Sequence, residues 1–272
     1  MHTRGFTLLE LLLVIVITGI LAAVIAPVIG EPVRAYLDQA GRNALVDAAE
    51  MALRRMQRDV RRALPYSLRV NASQTAIEFV RVLDVARYRE NGGPAAQRLQ
   101  FNNADASFNV LGRFNSIASR PHVLAPGQRL VIFNLGASPY DVYAGDAVVT
   151  PASTTITISD DGGEDRVTLN PGHRFQDSSP SHRVYITDTA VSYACSGGGL
   201  YRRENYGLPV TQPDAAFVTA GVLMANRVSA CRFDYDPGST TRSGLLTLGL
   251  RLTSAAGESV NLVHVVHVPN AI

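Results

Sequence analysis

The residues able to do chemistry are few and widely spaced. Glu10 is a lone carboxylate near the start of an apolar run that continues to Ile29. An ionised side chain loses its hydration in lipid, so this placement is costly unless a cation meets it. Glu10 is therefore a candidate ion-pairing residue whose partner must come from elsewhere. Cys195 and Cys231 could pair with each other, hold a metal or supply a nucleophile. Asp160, Asp161, Glu164 and Asp165 flank Gly162-Gly163, and such oxygens could wrap Ca²⁺, which takes about six to eight of them. His264 and His267 fall on opposite faces of a strand and cannot jointly hold a metal there. His122, His173 and His182 have no carboxylate at a telling spacing.

Most of these options fade on inspection. The chain has no G-x-S-x-G elbow, P-loop, H-E-x-x-H or dinucleotide-binding glycine pattern. The expectation is a protein that is not an enzyme and has no catalytic, metal or cofactor residues. The acidic loop lacks the twelve-residue calcium pattern, and turns select Asp and Gly without any ligand. A solvated turn is the favoured reading. The net charge of +2 makes no global case for a nucleic-acid partner. All 25 basic residues are Arg, which reads as base composition and not mechanism.

Residues 6–29 are long enough to span a membrane, at roughly 36 Å of helix against a hydrocarbon core of about 30 Å. They do not read as a secretory signal peptide, because the charged lead is short and no small-x-small cleavage site follows. Arg4 ahead of the span keeps that end cytoplasmic and the remainder outside the inner membrane. In that oxidising compartment a Cys195–Cys231 disulfide is the leading reading. It would limit the unfolded chain by roughly 3–4 kcal/mol in the loop-entropy model. Zinc would need more ligands at short spacing, and no His lies close in sequence to activate a thiol.

Gly5-Phe6-Thr7-Leu8-Leu9-Glu10 resembles the G-F-T-L-x-E processing motif of type IV prepilins and type II secretion pseudopilins. The resemblance implies cleavage after Gly5 by a prepilin peptidase and N-methylation of the new terminus, Phe6. It also supplies the missing cation, since in that family the glutamate at the position of Glu10 meets the N-terminal ammonium of a neighbouring subunit. Pro27 falls where many pilins carry a helix-loosening proline.

These residues need elements to place them. Residues 33–64 read as an amphipathic helix, with Val46, Ala49, Leu53, Met56, Val60 and Leu64 on one face. Arg54, Arg55, Arg58, Arg61 and Arg62 lie opposite, where a charge run is ordinarily a solvated face. Contact with acidic surfaces of adjacent subunits is the better functional guess for them, and nucleic acid is not expected. Leu64-Pro65 ends the helix, and Pro27, Gly30 and Pro32 predict a kink or break within it. Strands are expected over 75–82, 129–135, 154–159, 183–187, 189–194, 200–204, 228–235, 245–253 and 259–268. The last two form the clearest hairpin. The fold class is α+β: a pilin-like long N-terminal helix, transmembrane then amphipathic, packed on an antiparallel β-sheet head. The expected organisation is a leader over 1–5, a transmembrane or filament-core helix over 6–29, an amphipathic helix over 30–65, and a periplasmic head over 66–272. Two lobes meeting near 145–155 are possible within that head.

Segments of the second half, 186–195 with 200–203, 223–228, 231–233 and 264–270, resemble minor prepilins of the MSHA (mannose-sensitive haemagglutinin) pilus biogenesis type. Residues 58–65 are also similar to minor pilins of the W class and pseudopilins of the J class. The resemblance implies a minor pilin acting in initiation or assembly of a type IV pilus, with other major and minor pilins as partners. It would sit in the inner membrane before assembly and in a pilus or pseudopilus afterwards. Alternatives are a J-class minor pseudopilin of type II secretion, or a tip-exposed adhesin using loops within 82–128.

Overall fold

The computed structural model describes residues 7–239 and 242–270; side chains at 26, 27 and 29–34 lie outside that description. Helix α1 runs from Leu8 to Val60, or roughly 80 Å at about 1.5 Å per residue. Its backbone is helical through Pro27, Gly30 and Pro32, so the expected break there does not occur. Every described side chain from Thr7 to Ala44 is exposed. Burial begins at Leu45 and continues through Ala49, Ala52, Leu53, Met56 and Val60. That stripe keeps the predicted spacing but enters the core at Leu45, with Val46 only half-buried. Each large apolar side chain in it stabilises the packed state by roughly 1.5–3 kcal/mol over exposure.

The helix ends at Val60, earlier than Pro65 alone requires. The backbone beyond it is captured by the next strand: Leu64 N–H donates to Val80 O at 2.8 Å, and Val82 N–H to Arg62 O at 2.8 Å. A non-local pairing therefore decides the boundary.

The head contains β1 (Arg69–Val70), β2 (Ala76–Tyr88), β3 (Asp105–Leu111), β4 (His122–Val123), β5 (Arg129–Val131), β6 (Thr155–Asp161), β7 (Glu164–His173), β8 (Arg183–Ser196) and β9 (Gly199–Arg203). After these come the short helix α2 (Ala215–Thr219), β10 (Val222–Ala225), β11 (Val228–Asp236), β12 (Gly244–Thr253) and β13 (Ser259–Val268). The larger antiparallel sheet has the order β10-β9-β8-β2-β3-β7-β6-β4, with β1 on β2 and β5 on β8. A second sheet is the meander β11-β12-β13. The α+β architecture of a long helix followed by an antiparallel head is as the sequence predicts.

Several elements differ from expectation. The two strands expected over 183–187 and 189–194 are one strand, β8. β2 continues to Tyr88, into what reads as loop, and β3, β7, β10 and α2 are additional. The expected strand over 129–135 shortens to β5.

The two largest of the hydrophobic clusters share these sheets. One gathers the α1 stripe, Phe79, Val191, Tyr193 and Phe233 with the alternate leucines Leu246, Leu248, Leu250 and Leu252 of β12. The other gathers Tyr88, Phe108, Phe114, Ile156, Ile158, Val167 and Phe175. β2 and β8 contribute to both, so no single point of the chain divides them.

Candidate functional site

The first turn of α1 explains how Glu10 is held. Thr7 is the N-cap, and its Oγ1 accepts from the Glu10 backbone N–H at 3.3 Å. Unsatisfied N–H groups make this end of a helix partly positive, which favours a carboxylate in the first turn. Thr7-x-x-Glu10 also has the spacing of a capping box, in which the glutamate reaches back to the cap residue. The Thr-x-x-Glu spacing is itself a local sequence signal for this helix start. Glu10 is exposed on an apolar surface that includes Leu9, Leu11, Leu12 and Leu13. Thr18 directs its hydroxyl to Val14 O and so needs no outside acceptor. The segment Leu8–Ile25 is long and apolar enough to cross a membrane, and none of it is buried against the head. Gly5 and Phe6 lie outside the described residues.

Residues 1–26 match the family model of the prokaryotic N-terminal methylation motif. The motif supports a type IV prepilin-like chain. For such a chain, pilin or pseudopilin, it implies processing by prepilin peptidase and assembly with other pilins. The exposed apolar helix of this prepilin-like chain fits membrane anchoring. No curated protein and no solved structure matches the chain. The likeness of the head to MSHA-type minor prepilins therefore finds no support there.

The helix of the prepilin-like chain is fastened to its head by polar contacts at the edge of the apolar stripe. Asp59 Oδ2 accepts from Arg202 Nε at 2.7 Å and from the Tyr193 hydroxyl at 2.8 Å. Arg202 continues to Glu204, which also meets Arg81, itself paired with Asp188. Earlier in α1, Glu50 meets Arg54 at 2.7 Å and His264 at 3.0 Å. The Arg54 hydrogen bond leads the causes that hold the Glu50 carboxyl below its usual range. Of the arginine stripe, Arg54 and Arg55 are thus paired, Arg55 with Asp59 at 3.3 Å. Arg58, Arg61 and Arg62 remain exposed without a carboxylate among the described residues.

Cys195 and Cys231 are joined, tying β8 to β11 and hence the large sheet to the small one. Neither is a free thiol. The acidic loop is a tight hairpin between β6 and β7, with Asp161 opposite Glu164 and Gly162 and Gly163 at positive φ. Its tip, Asp160 with Gly162 and Gly163, is exposed as a solvated turn is, whereas Asp165 at its end is not. Asp165 is fully buried, pairs with Arg120 and accepts from Phe114 N–H at 2.8 Å. Glu164 meets Arg89, Asp160 meets Arg113, and Asp161 accepts from Asn109 and Gln97 at 3.0 and 3.2 Å. The Asn109 hydrogen bond, then that from Gln97, lowers the Asp161 pKa. These oxygens are spent on arginines and amides from distant segments, which sequence spacing does not reveal. Among the described residues no group of three or more His, Cys, Asp or Glu could hold a metal.

The histidines are also placed by the fold. His264 faces α1 and Glu50, while His267 is exposed on the other side of β13. His182 does have a carboxylate, Glu90, at 3.0 Å; the two are distant in sequence, and the tight entry into β8 brings them together. His173 meets Ala147 O at 3.2 Å, and burial lowers its pKa. His122 lies in β4.

Proposed function

We propose that this protein is a minor pilin that takes part in initiation or assembly of a type IV pilus of the MSHA-like type. The observation that carries the reading is the processing motif joined to an exposed apolar helix with a single carboxylate in its first turn. A prepilin peptidase cuts after Gly5, Phe6 is N-methylated, and the head lies in the periplasm until assembly. Glu10 then pairs with the Phe6 ammonium of a neighbouring subunit, so that two costly charges leave the lipid together. The free cations Arg58, Arg61 and Arg62 suit acidic surfaces of adjacent subunits. No catalytic residue, cofactor or nucleic acid enters this role.

The cap bond is donated by the Glu10 backbone N–H to Thr7 Oγ1, so substitutions of the Glu10 side chain leave it in place and isolate the charge. Glu10→Gln removes the charge and keeps the side-chain length, whereas Glu10→Ala removes both. Both variants are expected to abolish surface pili while the head stays folded. Normal piliation in Glu10→Gln would refute the ion pair. The resemblance of residues 58–65 to J-class pseudopilins keeps type II secretion as the rival within this class. Deletion of the gene followed by electron microscopy of surface pili and assay of secreted proteins separates the two: loss of secretion with pili intact would select the rival.

A further inference from the structure

We infer that a cleft on the head, away from α1, binds the carboxylate of an acidic sugar of the uronate type. The cleft encloses about 330 Å³ between the turn at 125–128 and the loop at 205–208, near the lower size limit of small-molecule sites at about 300 Å³. Its polar walls are Gln128, Arg129, Asp188, Thr189 and Asn205, with Leu208 as an apolar side. Arg129 opens β5, directly opposite Thr187 of β8. It is half-buried, yet no carboxylate, carbonyl or ring among the described residues takes its guanidinium. That sets it apart. The other buried or half-buried arginines, Arg69, Arg81, Arg89, Arg98, Arg120, Arg166, Arg183, Arg202 and Arg203, all have a partner.

Burial without a counter-ion disfavours the charged guanidinium, and it lowers the Arg129 pKa with no opposing carboxylate. A planar carboxylate answers that deficit, because two parallel N–H groups can bind its two oxygens. Asp188 shares the cleft but is already engaged by Arg81 Nε at 3.1 Å and by Thr189 N–H at 2.8 Å. Around the cation, hydrogen-bonding groups remain unspent. Gln128 accepts from Ala125 N–H at 2.9 Å through Oε1, which leaves its amide N–H groups free. Asn205 is exposed, and no side-chain partner for it occurs among the described residues. Amides that both donate and accept suit neighbouring hydroxyls, which a sugar acid offers and a bare carboxylate side chain does not. The walls are preformed: Tyr206 N–H bonds Thr189 Oγ1 at 3.2 Å, and Ala190 N–H bonds Gly207 O at 2.8 Å. The inference does not depend on the filament role.

Titration calorimetry of the full chain in polyoxyethylene-ether micelles, which carry neither charge nor sugar, provides the test. Glucuronate should bind saturably, with glucose, acetate and glutamate each weaker by about tenfold or more. Arg129→Gln should abolish the heat with an unchanged circular dichroism spectrum, and Asn205→Ala should weaken binding by about threefold. Absence of glucuronate binding would overturn the proposal, as would equal binding of glucose. Equal binding of acetate or glutamate would replace the sugar by a general carboxylate site. Should Arg129→Gln misfold, Arg129→Lys keeps the charge but loses the paired N–H geometry and should bind at least about tenfold more weakly; full affinity in that variant would overturn the assignment.

Discussion

Glu78 shows how a single buried group sets a pH response. Its side chain is fully buried beside Arg69, with the Tyr206 hydroxyl at 2.8 Å. Burial pushes its carboxyl above the usual 4.5, and Arg69 and Tyr206 offset only part of that. A carboxyl with a raised folded pKa binds its proton more tightly in the native state than in the unfolded one. Stability is then highest below the unfolded value and falls as pH rises through the folded one. Glu78→Gln should flatten this slope just above pH 4.5, as read by thermal melting across pH 4–7; an unchanged slope would exclude Glu78 as its source. Asp165 behaves differently because Arg120 is nearly enclosed with it, their side chains being 0% and 9% exposed. Removing one partner strands a buried charge, so Asp165→Ala should cost about 3–5 kcal/mol in chemical denaturation. Neither group stands out in sequence, since Glu78 lies in an apolar run and Asp165 among other acids that are less buried.

At the scale of elements, the disulfide carries a cross-sheet role. Cys195 is the penultimate residue of β8 and Cys231 lies within β11, 36 positions later. Backbone bonds cross the same junction, from Phe233 N–H to Gln74 O at 2.8 Å and from Val228 N–H to Gly198 O at 2.9 Å. The double variant Cys195→Ser/Cys231→Ser should lose about 3–4 kcal/mol in oxidising buffer. The same loss should appear on reduction of the parent protein, and a smaller effect would mean that β11 is held by packing alone. The pairing of α1 with the head was half legible. The three-and-four spacing of Ala49, Leu53, Met56 and Val60 marked the buried face, whereas Asp59–Arg202 joins positions far apart in the chain and carries no local signal.

For the whole molecule, the division falls along α1. Described side chains up to Ala44 contact no core, and burial starts at Leu45. A chain beginning near residue 36 should therefore stay folded and monomeric in water, with a melting temperature close to that of the full chain, while the full chain needs detergent. Size-exclusion chromatography and circular dichroism check this, and aggregation of the shortened form would show that the upstream helix contributes to the head.

By itself, the sequence determined the features that rest on local chemistry: the motif around Glu10, the apolar span, the stripe on the second half of α1 and the terminal hairpin. Apolar periodicity and turn residues act over a few positions, so they can be read without the fold. Tertiary structure alone decided where α1 stops, because Leu64 is taken by Val80. It alone turned the acidic loop into a saturated hairpin and joined His182 to Glu90. It also left Arg129 half-buried in a cleft without a side-chain partner among the described residues. Those outcomes depend on which distant charges and backbone groups burial brings together, and burial is a property of the packed sheets, not of sequence spacing.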